Sequence, residues 1–170
     1  MTYIIPPEGF KIWTPVANRL LGSAQNSFME LRFYGNESQI DCCHFLLGML
    51  QDESCSACYM MKILKVPLKQ LKQDIIRSAE KGNIRTFPKP FPMENGLSNG
   101  VKFIIPDSFE EAKNFNHTLV GTHHLLMAMC KLPENEQVQI FLTKFNINEL
   151  LVKDTIIRYT NNQAFLHDSL

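Results

Sequence analysis

Five residues able to bind a metal or undergo thiol chemistry, Cys42, Cys43, His44, Cys55 and Cys58, lie within 17 residues of one another. As a set they resemble zinc ligands. Cys55-Ser56-Ala57-Cys58 also has the spacing of a redox dithiol, whose thiolate a helix N-terminus would favour. Geometry argues against one four-ligand site. A helix over 41–51 rises roughly 15 Å, which leaves Cys42 and Cys43 at its start and Cys55 and Cys58 beyond its end. Helical patterning on both sides of Cys55 and Cys58 leaves no room for the strand that precedes a thioredoxin-type dithiol. The preferred reading is buried thiols acting as small apolar residues. No disulfide and no metal are expected at Cys55 and Cys58. A thiol or zinc protein using Cys42, Cys43, Cys55 and Cys58 is the alternative.

His117, His123 and His124 form a second cluster. Neighbours on a helix point about 100° apart, so His123 and His124 are not expected to share an ion. The expectation is a packed or capping His124 and an exposed His123. The third group is electrostatic. Residues 62–85 hold Lys62, Lys65, Lys69, Lys72, Arg77, Lys81 and Arg85 against Asp74 and Glu80, a net +5 that the rest of this zero-charge chain balances. Such a face suits an acidic partner. Few aromatic residues are interleaved with these cations, and there is no overall basic excess, so nucleic acid is not the expected ligand. The chain contains no G-x-x-x-x-G-K-[ST], G-x-G-x-x-G, G-x-S-x-G or H-E-x-x-H sequence, so no motif-based catalytic site is expected.

The elements that position these residues follow from periodicity and caps. Thr14 and Pro15 are a helix start, and Val16, Ala17, Leu20, Leu21, Ala24, Phe28 and Leu31 recur at helical spacing, with Gly35 and Asn36 expected to close the helix. Asp41 is expected to cap a second helix and Ser54 a third. Pro67 opens a fourth, whose apolar face is Leu68, Leu71, Ile75 and Ala79. Prolines at 88, 90 and 92 and glycines at 96 and 100 read as a linker over 82–100. Val101–Ile105 reads as an extended run of β-type residues. A short fifth helix then opens at Pro106 and Asp107, with Asp107 and Glu110 as a capping box. Thr122 is expected to cap a sixth helix, a seventh covers 135–145, and Asn148 caps an eighth.

The two halves repeat. Ile40-Asp41-Cys42-Cys43-His44-Phe45-Leu46-Leu47-Gly48-Met49 aligns with Val120-Gly121-Thr122-His123-His124-Leu125-Leu126-Met127-Ala128-Met129 at an offset of 80, and 66–77 aligns with 147–158 at 81. The best-formed motif, Val120-Gly121-Thr122-His123-His124-Leu125-Leu126-Met127, together with its degenerate copy and the Thr14-Pro15 opening, resembles the Clp N-terminal repeat domain of Clp/Hsp100 unfoldases. The resemblance covers residues 14–160. It implies an all-α, pseudo-twofold fold of two four-helix repeats sharing one core: an N-terminal segment 1–13, repeat 1 over 14–81, the linker 82–100, repeat 2 over 101–160 and a tail 161–170.

The resemblance also implies a non-catalytic module that docks adaptors or substrates, acting here as a stand-alone adaptor or accessory of a Clp-type chaperone or protease. Some members of the family bind phosphoarginine through a Thr at the first helix and a Glu in each G-T-E-H. Thr14 matches that Thr, and Ser98 falls at its counterpart, but Cys43 and His123 stand at the Glu positions. The expectation is therefore peptide or protein binding near Thr14, Cys43, Thr122 and His123 without tight phosphoarginine binding, with Lys65, Lys69 and Lys72 as a second docking surface. No cofactor is expected. The N-terminus lacks the basic and apolar regions of a signal peptide, and no apolar run approaches membrane-spanning length. The odd cysteine count suits reduced thiols, and a cytoplasmic protein is the expectation.

Overall fold

The computed structural model describes residues 10–33, 39–81 and 96–159. Gly35 and Asn36, most of the expected linker, the first nine residues and the tail lie outside them; the first helix nevertheless ends earlier than expected, at Glu30, because Leu31 is already extended and pairs in a short strand. Within the described residues the chain forms α1 (Pro15–Glu30), β1 (Leu31–Arg32), α2 (Cys42–Gln51), α3 (Ser56–Ile63), α4 (Leu68–Ser78), β2 (Glu80–Lys81), α5 (Asn99–Asn114), α6 (Thr122–Cys130), α7 (Gln137–Lys144) and α8 (Glu149–Tyr159). Among the described residues the only sheet is a two-residue antiparallel pairing of β1 with β2. This is the expected all-α architecture of two four-helix repeats.

The pseudo-twofold is visible in individual hydrogen bonds. Thr14 Oγ1 accepts the Ala17 N–H at 3.1 Å to cap α1, and Ser98 Oγ accepts the Val101 N–H at 3.2 Å to cap α5. The residues ahead of these caps cross to the other repeat. Thr14 N–H donates to Val120 O at 2.9 Å and Val120 N–H to Ile12 O at 2.7 Å, while Ser98 N–H donates to Ile40 O at 3.0 Å and Ile40 N–H to Gly96 O at 2.6 Å. The turns after α3 and α7 match as well. Lys65 (φ 59°) and Asn146 (φ 54°) both adopt the left-handed conformation, which lets Val66 N–H reach Met61 O and Ile147 N–H reach Leu142 O.

The centre of each repeat is a helix covered on every side. In α2 every residue from Cys42 to Leu50 is buried, and in α6 every residue from Thr122 to Met129. A helix apolar all round has to be interior. α1, α3, α4 and α7 pack on α2, and α1, α3, α5, α7 and α8 on α6, so one core spans both repeats. At Gly48 a Cβ would lie 2.5 Å from Leu20 Cδ1 and 3.2 Å from Ser23 Cβ, so a side chain there would make these residues of α1 shift.

The second repeat departs from the sequence reading at its start. The run Val101–Ile105 is not extended, and Asp107 with Glu110 is not a capping box. All of these residues belong to α5, which carries Pro106 within it. The buried residues Val101, Ile104, Ile105, Ser108, Glu111 and Ala112 fall at helical spacing. Burying three β-branched side chains, at about 1.5–3 kcal/mol each, outweighs the roughly 3 kcal/mol that an interior proline costs. Two caps also differ. α3 is capped by Cys55, whose Sγ accepts the Cys58 N–H at 3.4 Å, rather than by Ser54. α6 has Gly121 at its cap position, and Thr122 is its first residue.

Candidate functional site

Each repeat's central helix begins with the same histidine device. Asp41 N–H donates to His44 Nδ1 at 2.8 Å, and Gly121 N–H donates to His124 Nδ1 at 2.9 Å. The bond needs a lone pair on Nδ1, so each neutral ring carries its proton on Nε2. In repeat 1 that proton points to Leu31 O at 3.2 Å, and in repeat 2 to His117 Nδ1 at 2.7 Å. Burial lowers the pKa of His44. Burial, then the neighbouring His123 and His117, pushes that of His124 far down. Burial also lowers that of His117.

The residues after each cap face the other repeat. Thr122 Oγ1 accepts the Ala57 N–H at 2.9 Å, so it satisfies the start of α3 rather than of its own helix. Ser56 Oγ lies 2.9 Å from Thr122 Oγ1 and 2.7 Å from His123 Nδ1. His123, expected to be exposed, is 1% exposed. α3 covers the side of α6 on which His123 stands, a side the periodicity of one helix could not show to be occupied. Ser56 is the partner that the sequence reading missed, because nothing in its spacing links it to residues 66 and 67 positions away. The counterpart in repeat 1 sets Cys42 against Glu136 at the start of α7. A Cβ on Gly100 would lie 2.8 Å from Glu136 Oε2 and 3.0 Å from Cys42 Sγ. Burial and then Asp41 raise the Glu136 pKa.

Thr14, Thr122 and His123 therefore line the seam between repeats, and these three and Cys43 are all buried. The structure brings Thr122 and His123 together through Ser56, and ties Thr14 to Val120 by its backbone. A cavity of about 230 Å³ opens beside this seam, lined by residues including Arg19, Met49, Asp52, Cys55 and Thr122.

The cysteines do not converge. Cys55 and Cys58 Sγ both point to Met49 O, at 3.6 and 3.2 Å. All four thiols of the sequence cluster are free and buried. The Cys58 thiol is pushed well up by its hydrogen bond with Cys55 and by burial, and burial does the same to Cys42 and Cys43. These are thiols held protonated, the opposite of an activated nucleophile. Among the described residues, the cysteines join no group of three metal-ligating side chains.

The lysines stand apart from the seam. α4 buries Leu68, Leu71 and Ile75, the apolar face expected for it. Lys69, Lys72 and Ile76 follow one another at i, i+3 and i+7 on its outer side. Lys65 and Lys69 are exposed, Lys72 is half-buried and Ile76 is 42% exposed. Lys62 pairs with Glu53, Arg77 with Asp74, and Lys144 of α7 with Asp74 at 2.7 Å. The Lys144 ammonium beside Asp74 holds that carboxyl below the usual range. Among the described residues none of Lys65, Lys69 and Lys72 is in an ion pair. Arg85 lies outside the described residues.

Two fused helical repeats with a buried seam and a cationic outer helix make up the described fold. The model of the Clp repeat (R) N-terminal domain matches residues 14–145, and the chain belongs to that family. In the family context that domain is a protein-interaction module associated with Clp chaperones. An uncharacterised protein of Mycobacterium tuberculosis strain H37Rv is 26% identical over 129 residues, 76% of this chain and 47% of that one, so the chain matches about half of that relative's length. The chloroplastic chaperone protein ClpC3 of rice, Oryza sativa subsp. japonica, is 23% identical over 96% of this chain and 16% of its own length. The N-terminal domain of Hsp104 from Candida albicans superposes with a TM-score of 0.61 at 13% identity, covering 90% of this chain and 94% of that one. No helix among the described residues is long and apolar enough to cross a membrane.

Proposed function

We infer that this chain is a docking module that brings a protein partner to a Clp-type chaperone or protease, as adaptor or accessory, with no chemistry of its own. The observation that carries this reading is the outer face of α4. Lys69 and Lys72 share α4 with the exposed Ile76, Lys65 stands in the turn just before that helix, and none of the three has a carboxylate partner on a chain whose net charge is zero. Cations left unpaired beside an apolar side chain fit an acidic surface with an apolar centre, and electrostatics would give such a contact its on-rate and salt dependence. Thr14, Thr122 and His123 then act indirectly, by fixing how the repeats meet. The cytoplasm is the proposed compartment.

The experiment is charge reversal. Lys65→Glu, Lys69→Glu and Lys72→Glu combined should weaken binding to a purified Clp-type ATPase or protease subunit at least about tenfold while leaving the helical circular-dichroism signal intact. Loss of rim charges acts mainly on association rate and salt dependence. Unchanged affinity in the folded triple variant would refute the α4 surface.

A further inference from the structure

We propose that His117, His123 and His124 form a binding site for a divalent transition-metal ion, zinc by its ligand chemistry. One ring nitrogen from each residue lies within 4.8 Å of the other two. The adjacent pair on α6 does not act alone, because the loop after α5 brings the His117 ring back over the start of α6. His117 Nδ1 stands 2.7 Å from His124 Nε2, and the His123 and His124 rings lie 3.9 Å apart. Three imidazoles around a tetrahedral zinc, each about 2.0–2.1 Å from the ion, have their nitrogens roughly 3.3 Å apart. The cluster therefore needs shifts of the order of an ångström.

The chemistry of the set is suitable. His117 and His124 are held neutral by burial, and neutral imidazole is the ligating form. An anchoring hydrogen bond from the outer ring nitrogen is the usual support for a ligating histidine. His123 has one when its Nδ1–H donates to Ser56 Oγ, 2.7 Å away, while the Ser56 hydroxyl donates to Thr122 Oγ1. This arrangement leaves the His123 Nε2 lone pair for the ion. His117 is half-buried, so an ion can reach the cluster from its side. With three nitrogen donors and no carboxylate, the set favours zinc, cobalt, nickel or copper over calcium or magnesium.

Binding involves one proton rearrangement. The His124 proton now on Nε2, between His124 and His117, gives way to the ion. It reappears on Nδ1, so the ring stays neutral and Gly121 N–H loses its acceptor. Two hydrogen bonds, Gly121 N–H to His124 Nδ1 and His124 Nε2–H to His117 Nδ1, are exchanged for three metal–nitrogen bonds.

Cobalt(II) and zinc(II) titrations of the purified chain test this, followed by optical spectroscopy and by ring-proton NMR. The expected result is one ion per chain, visible d–d bands of tetrahedral cobalt without a sulfur-to-metal charge-transfer band, and shifts at His117, His123 and His124. His117→Gln, at a half-buried position, should lower affinity at least about tenfold. A Cys55→Ser/Cys58→Ser variant should bind as the parent does. The proposal is overturned by no binding at micromolar ion, by a thiolate charge-transfer band, or by full affinity in His117→Gln.

Discussion

Lowering the pH from 7.5 to 4.5 is expected to remove about 2–3 kcal/mol of folding stability through His124 alone, with His44 adding to the loss. Both rings are fully buried and neutral, each locked by a backbone N–H on Nδ1. Burial pushes both pKa values down, and for His124 the neighbouring His123 and His117 push it further. In the unfolded chain a histidine takes up its proton near pH ~6.5. Below that value the unfolded state binds more protons than the folded state, so stability rises with pH across this window. The contribution is complete above about pH 6.5. It falls by roughly 1.4 kcal/mol per pH unit per ring as the pH drops toward the folded-state pKa. Glu136 acts in the opposite sense, because its raised pKa favours proton uptake by the folded state. It is half-exposed, so solvent screens much of that effect. Denaturant titrations at pH 7.5, 6 and 5 give the slope. His124→Gln keeps an acceptor for Gly121 N–H and removes the proton site, so it should flatten that slope by about one ring's share. A parent and a His124→Gln variant with the same slope would refute the assignment.

Lys131→Met is expected to cost about 2–3 kcal/mol, a large fraction of a domain's stability. Lys131 ends α6 and ties it to α5, bonding Glu111 and lying 3.2 Å from Asp107 Oδ2. Burial pulls the Lys131 pKa down, yet Glu111 and Asp107 together hold the ammonium above its usual range. Glu111 is 4% exposed. Removing the ammonium leaves a carboxylate out of water without a counter-charge, which costs about 3–5 kcal/mol for a fully buried pair. Lys131 keeps a quarter of its side-chain surface, so the figure is reduced accordingly. The double variant Lys131→Met/Glu111→Leu should recover at least about 1 kcal/mol, since an apolar pair replaces an ionic one. Equal stabilities for the single and double variants would show that the buried charge is not the cause.

The repeat was legible because it rests on local chemistry. Asp41 with His44 and Gly121 with His124 are three residues apart, the reach of a helix start, and the apolar faces of α1 and α4 recur at helical spacing. What escaped the sequence reading depends on distant partners. Thr122 looks like a cap for the helix it begins, but its hydroxyl serves Ala57, 65 positions away. His123 reads as a polar residue beside a buried one, and only the arrival of α3 makes its side of α6 interior. Val101–Ile105 has β-type composition next to a proline. The helical spacing from Val101 through Ala112 is present in the same residues, so period and propensity point to different structures there. The β1–β2 pair is two residues long and leaves no pattern to read. The lysines of α4 were legible as a charge excess, but which of them lacked partners required the positions of Glu53, Asp74 and Lys144.

The central claim is that the outer face of α4 contacts a Clp-type machine. Site-specific photo-crosslinking measures that contact most directly. A benzophenone side chain at Lys69, in the native cytosol, should give a crosslink identified by mass spectrometry as a Clp-type ATPase, protease subunit or adaptor. The yield should fall as salt is raised, and the same probe at Leu150, an exposed position on α8, should not give that product. Absence of any Clp component from the Lys69 crosslinks, or equal yields of the same product from Lys69 and Leu150, would contradict the account.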